Sequence, residues 1–137
     1  MRQFIRHPSE IPIEIQCAPE GSYVQRSTQN VGYGGLAFFS DTAIEMDTVI
    51  GLRMPHLRPA FELPAVRVAW CHQEGSGFAV GVQFLEAAEA FQVRMVEQVC
   101  HIESYRRDVE QREGRQLTAE EAAVEWISRH ASSFPSP

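Results

Sequence analysis

Between Ile11 and Phe84 the chain is a succession of short strand-like runs, each closed by turn residues. Ile11 to Gln16 alternates apolar and polar residues, the period of a half-buried strand. Tyr23 to Gln29 is polar but compatible with a strand, and Leu36 to Phe39 and Thr48 to Met54 are short apolar runs. Phe61 to Cys71 carries a longer pattern through Leu63, Ala65, Val66, Val68 and Trp70. In the last run, Phe78, Val80, Val82 and Phe84 share one face. Turns are expected at 19–22 and at 74–77, and the prolines of 55–59 interrupt the pattern. Six closely spaced short strands joined by turns predict an antiparallel barrel rather than a parallel sheet.

The pattern then changes. From Ala87 to about Arg112 there is no Gly or Pro, and Phe91, Met95, Val99 and Ile102 recur at helical spacing. Gly114 is placed to end that helix as its C′ residue. Thr118 and Glu121 have the spacing of a capping box. A second helix follows through Ala122, Ala123, Trp126, Ile127 and His130, and residues 132–137 read as a frayed tail. The expected fold is mainly β with α: a six-stranded antiparallel β-barrel followed by two C-terminal helices.

Composition removes several classes of function. The net charge of -6 disfavours a general binder of nucleic-acid polymers. No apolar run approaches the roughly 20 residues of a membrane span. The first ten residues are polar and break at a proline, so they do not read as a secretory signal, and a cytoplasmic protein is expected. Cys17, Cys71 and Cys100 are too far apart for a CxxC metal site, and they are expected to be buried reduced thiols. All 12 basic residues are Arg, whose planar fork suits bidentate contacts and ring stacking.

The chemistry of enzymes is not written here. His7, His56, His72, His101 and His130 make no i, i+4 pair with a third ligand nearby. There is no GxSxG elbow, and Cys71 beside His72 has no identifiable third partner. The acidic residues of both helices read as a solvated face, and Arg106 and Arg107 as helix surface. No cofactor is implied. Gly32, Gly34 and Gly35 do not form a Rossmann loop, because a strand rather than a helix follows, and no Lys-Ser/Thr completes a P-loop. A hairpin loop with left-handed glycines is the expectation there.

One constellation remains. Arg2-Gln3-Phe4-Ile5-Arg6 reads RxxxR, and Asn30-Val31-Gly32-Tyr33-Gly34-Gly35 follows it beyond a strand. In this order, ahead of a barrel pattern, the two stretches resemble the PilZ domain, whose signature is RxxxR followed by [D/N]xSxxG. Arg67 to Trp70 and Val80 to Phe84 add to the likeness. The resemblance covers roughly residues 1–112, the barrel with its first helix. Residues 113–137 then form a helical extension, packed on or near the barrel, similar to one found in some small stand-alone members.

The resemblance implies a non-enzymatic receptor for the bacterial second messenger cyclic di-GMP, acting on an unidentified protein effector as a monomer or homodimer. Arg2 and Arg6 would fork onto guanine or phosphate, as Arg does in reading guanine edges, and could stack on the bases. Asn30 would bond a base edge or hold the loop. Gly32 and Gly35 would let backbone approach the ligand, and Trp70 would either cover a guanine or pack at the barrel end. Ligand is expected to draw the N-terminal Arg segment onto the barrel. One departure stands out: Gly32 occupies the place of the motif's Ser. It leaves a second reading open, a degenerate PilZ-like protein-interaction module that binds no nucleotide.

Overall fold

The computed structural model describes residues 6–18, 20–85 and 88–130. The expectations for Arg2, for Pro19 in the first turn and for the tail at 132–137 lie outside the described residues. The strands are β1 His7–Pro8, β2 Pro12–Gln16, β3 Val24–Val31, β4 Gly35–Ser40, β5 Val49–Met54, β6 Phe61–Glu74 and β7 Gly77–Phe84. Two helices follow, α1 Glu89–Glu113 and α2 Ala119–His130.

All strand pairings are antiparallel, in the order β1-β3-β2-β5-β6-β7-β4, and β4 also pairs with β3. That last pairing closes β3-β2-β5-β6-β7-β4 into a six-stranded barrel. The two-residue β1 is no seventh wall. It continues the line of β2 along the same edge of β3, with Pro8 opposite Asn30 and Pro12 opposite Ser27.

The period-2 residues fill the barrel. Ile13, Ile15, Leu36, Phe38, Leu52, Val66, Val68, Val80 and Val82 are all buried in one core. The 14-residue β6 keeps its apolar side inward by shifting register twice, opposite Ile50/Leu52 and again between Val68 and Trp70. Its turn into β7 has two residues, and Gly75 takes φ 61° at the first of them. That position demands a left-handed backbone in a type II′ hairpin.

Helix α1 lays Met95, Val99 and Ile102 against the same core, and Phe91 meets the Phe61 ring at 4.6 Å. Gly114 ends it at φ 68° with its N–H on Glu110 O. The capping box of α2 is reciprocal: Glu121 N–H donates to Thr118 Oγ1 at 3.0 Å, and Thr118 N–H to Glu121 Oε1 at 2.9 Å.

Three expectations, two about α1 and one about the thiols, are corrected. The acidic residues are not all a solvated face, because Glu103 is buried and accepts the backbone N–H of Glu10 at 2.9 Å. Arg106 is more than surface: it reaches Glu103, Glu10 and the Leu117 carbonyl, joining the N-terminal segment to the α1–α2 connection. None of the three cysteines is fully buried. Cys17 is exposed in the β2–β3 turn, and Cys71 and Cys100 are half-buried.

Candidate functional site

The N-terminal arginine segment is fastened to the barrel by backbone pairing. β1 sets His7 opposite Val31 and Pro8 opposite Asn30, and Ser9 N–H donates to Gln29 O at 3.1 Å. Behind this seam, the Thr28 hydroxyl is buried 2.9 Å from Ser9 Oγ and 3.0 Å from Ile11 O. The register delivers Arg6 to the mouth of the glycine loop. Its Nη1 donates to Asn30 Oδ1 at 2.8 Å, across 24 residues of sequence. Arg6 stays exposed as a residue, while partial burial of its guanidinium lowers its pKa from the ordinary value. The segment from Arg6 onward is therefore seated on the barrel by the β1 pairing and the Arg6–Asn30 bond.

Asn30 begins a row that crosses the sheet. It pairs with Ala37, Ala37 with Gly81, and Gly81 with Trp70. Directly paired residues point to the same side of a sheet. The inward partners Leu36, Val82 and Val68 fix that side as the outside. Asn30 and Trp70 thus stand at the two ends of a floor made of Ala37 and Gly81. Trp70 is half-buried rather than in the core, and its indole lies directly on Gly81. A Cβ there would be 2.1 Å from Trp70 Cε2. The His72 ring stacks on the indole at 4.7 Å and 11°.

A second outer row runs parallel, from Gly35 through Gln83 to Arg67. Arg67 is held by Asp47 at 2.8 Å and by the Gln83 side chain. Gly35 is needed for close approach, since its Cβ would sit 2.1 Å from Val82 O. The left-handed glycines expected in this loop are not found. Among the described residues, left-handed backbone occurs at Asp47, Gly75 and Gly114. Crowding by β7, not a left-handed turn, explains Gly35. Gly32 is buried, and its N–H is engaged by Gly35 O at 2.9 Å.

Of the six residues singled out in the sequence, Arg6, Asn30, Gly32 and Gly35 converge at one corner. Trp70 faces them across the floor, and Arg2 lies outside the described residues. The sequence reading missed Ala37, Gly81, His72 and Gln83. Their signal was present in β7, where the odd positions Gly77, Ala79, Gly81 and Gln83 oppose the apolar even ones. A glycine inside a strand marks a close approach. Among the described residues no group of three or more His, Cys, Asp and Glu could hold a metal ion. No described helix is long and apolar enough to cross a membrane.

A closed six-stranded antiparallel barrel, with an arginine from a preceding segment seated on the loop between β3 and β4, defines a class of domain. The PilZ domain profile matches residues 1–100, and the chain belongs to the PilZ domain family. Members of this family are typically non-catalytic receptor modules, many of them receptors for cyclic di-GMP.

Solved structures agree on the fold. The PilZ domain of YcgR from Escherichia coli, solved with c-di-GMP, superimposes with a TM-score of 0.61 at 10% identity, over 83% of this chain and 98% of that one. The PilZ domain of CeSA, from a cellulose-synthesizing bacterium, gives 0.55 at 20% identity, over 71% of this chain and 99% of that one. The Bacillus subtilis inhibitor of motility MotI/DgrA gives 0.60 at 15% identity, over 75% of this chain. The chain spans about half, 51%, of that last protein. No curated protein sequence matches the chain.

Proposed function

We propose that this protein is a cytoplasmic, non-enzymatic receptor for cyclic di-GMP that changes its surface on binding and so regulates a partner protein. The observation that carries the proposal is the Arg6–Asn30 contact, which joins the two halves of the motif at 2.8 Å beside the floor of Ala37 and Gly81. The ligand is a dianion with two flat guanine bases. Arg6 offers a forked cation for phosphate or guanine O6/N7, and Arg2 would supply a second. Asn30 offers a side-chain amide. Trp70 offers an indole edge against which a base can lie, and a base would take its outer face only by displacing the His72 ring. Residues 1–112 would form the receptor unit, as monomer or homodimer, with 113–137 as its helical extension.

Gly32 sets the affinity in this reading. A Ser hydroxyl to a charged group contributes about 1.5–3 kcal/mol, roughly ten- to over a hundredfold in affinity. The Gly32 N–H cannot substitute, since it bonds Gly35 O at 2.9 Å. The same departure supports the second reading, an interaction module that has lost its nucleotide.

Calorimetric titration with cyclic di-GMP separates the two. The native protein is expected to bind in the micromolar range or tighter, Arg6→Ala to lose at least tenfold, and Gly32→Ser to tighten by tenfold or more. No binding by either the native protein or Gly32→Ser, checked by thermal shift against a silent enthalpy, would leave the interaction module standing and remove the receptor.

A further inference from the structure

The barrel wall opens away from Arg6. β3 pairs with β4 only from Thr28 to Val31, while Val24–Ser27 keep β2 on one side and, among the described residues, no strand on the other. β4 runs on to Ser40 with β7 along its far edge. Between the diverging strands lies a cleft of about 800 Å³, lined by Gln25, Arg26, Ser27, Phe39 and Ser40 and closed by the β6–β7 turn.

Both walls point free backbone groups into this cleft. Thr28 N–H donates to Ile11 O, so strand alternation turns Arg26 toward β2 and the N–H and C=O of Gln25 and Ser27 into the opening. Pro12, which has no N–H, stands opposite Ser27 and fits that assignment. On the other wall, Phe84 N–H donates to Gly34 O, and the same alternation turns the groups of Phe39 inward. Phe39 also leaves 43% of its surface exposed. Arg26 covers the edge only in part. Its Nη1 caps Gln25 O at 3.0 Å, while its Nε is buried without a hydrogen-bond partner.

We propose that this cleft receives an extended segment of a partner protein, added as a strand along Gln25–Ser27. An open edge with unpaired N–H and C=O groups is a template for such addition, and main-chain bonds supply its affinity. The segment carries one carboxylate, which takes the Arg26 guanidinium from the Gln25 carbonyl and frees that carbonyl for the ladder. It also carries an apolar side chain against Phe39. Asp41 and Glu74 on the rim disfavour further acidic residues, and Glu74 is held there by Gln29 Nε2 at 3.2 Å. Arg6, Asn30 and Trp70 take no part, so the proposal stands apart from ligand binding.

The test is selection of a displayed random heptapeptide library on the native protein, with Ser27→Pro as the counter-target. Ser27→Pro removes a cleft-facing N–H and leaves the β2 ladder intact, which circular dichroism and a thermal melt verify. Enriched sequences are expected to share an Asp or Glu at one fixed position. A synthetic peptide of the consensus should bind at least tenfold more weakly to Ser27→Pro and to Arg26→Ala. N-methylating its edge-facing amides should abolish binding to the native protein. Failure to enrich, or equal binding to Ser27→Pro, would overturn the proposal. So would a native dimer, in sedimentation, that Ser27→Pro dissociates, since a second copy would then fill the cleft.

Discussion

A Cβ at Gly35 would meet the backbone oxygen of Val82 at 2.1 Å, and a Cβ at Gly81 would meet Trp70 Cε2 at the same distance. The obstacles differ in kind. A carbonyl fixed in the β4–β7 ladder cannot turn aside, whereas an indole can lift. Gly81→Ala is expected to cost about 1–3 kcal/mol, the usual range for overpacking, and Gly35→Ala more. Urea unfolding measures both. Only Gly81→Ala should shift tryptophan emission to the red, because only there does Trp70 leave its seat for water. Equal costs with unchanged emission would contradict this account of the floor. The Arg6, Asn30 and Gly35 corner was legible because a motif spells it out along the chain. The seat of Trp70 was not, since the bulge between Val68 and Trp70 decides which face the indole takes, and a bulge leaves no mark in the period-2 pattern.

At the scale of elements, the helix signals were legible because caps are local chemistry. Thr118, Glu121 and Gly114 do what their spacing predicts. The polar anchors of α1 were harder to see. Gln98 lies three residues after Met95 and four before Ile102, on the apolar stripe itself, and is 1% exposed. Its side-chain amide accepts the Arg58 N–H at 2.9 Å and donates to the Arg58 carbonyl at 2.6 Å, so it pairs the β5–β6 connection like a strand. Glu103, four residues after Val99, does similar service for Glu10 N–H. A glutamine or glutamate on such a stripe reads as surface until the loop it satisfies is known. Gln98→Ala removes both hydrogen bonds to the part-buried Arg58 backbone, at about 0.5–1.5 kcal/mol for each bond lost. Chemical denaturation should register that loss without a change in m-value. A cost within experimental error would mean that water serves the loop as well as Gln98 does.

The molecule as a whole is a barrel whose strand line is broken at β1 and β2, with helices plugged against the core. Closure through β3–β4 was expected from the count of strands. Its incompleteness was not, because sequence gives strands but not where two of them part. The same β3 serves two ends. Near Asn30 it carries the arginine segment, and near Gln25 it leaves an edge open. The central claim is that Arg6, the Asn30–Gly35 loop and Trp70 form one receptor surface for cyclic di-GMP. The most direct test is amide and indole chemical-shift mapping of the isotope-labelled protein during titration with cyclic di-GMP. The account predicts saturable shifts at Arg6, Asn30, Gly32, Gly35 and Gly81 and at the Trp70 indole N–H, with Gln25, Ser27 and α2 largely still. No saturable shifts, or shifts confined to surfaces away from Arg6 and Trp70, would contradict it.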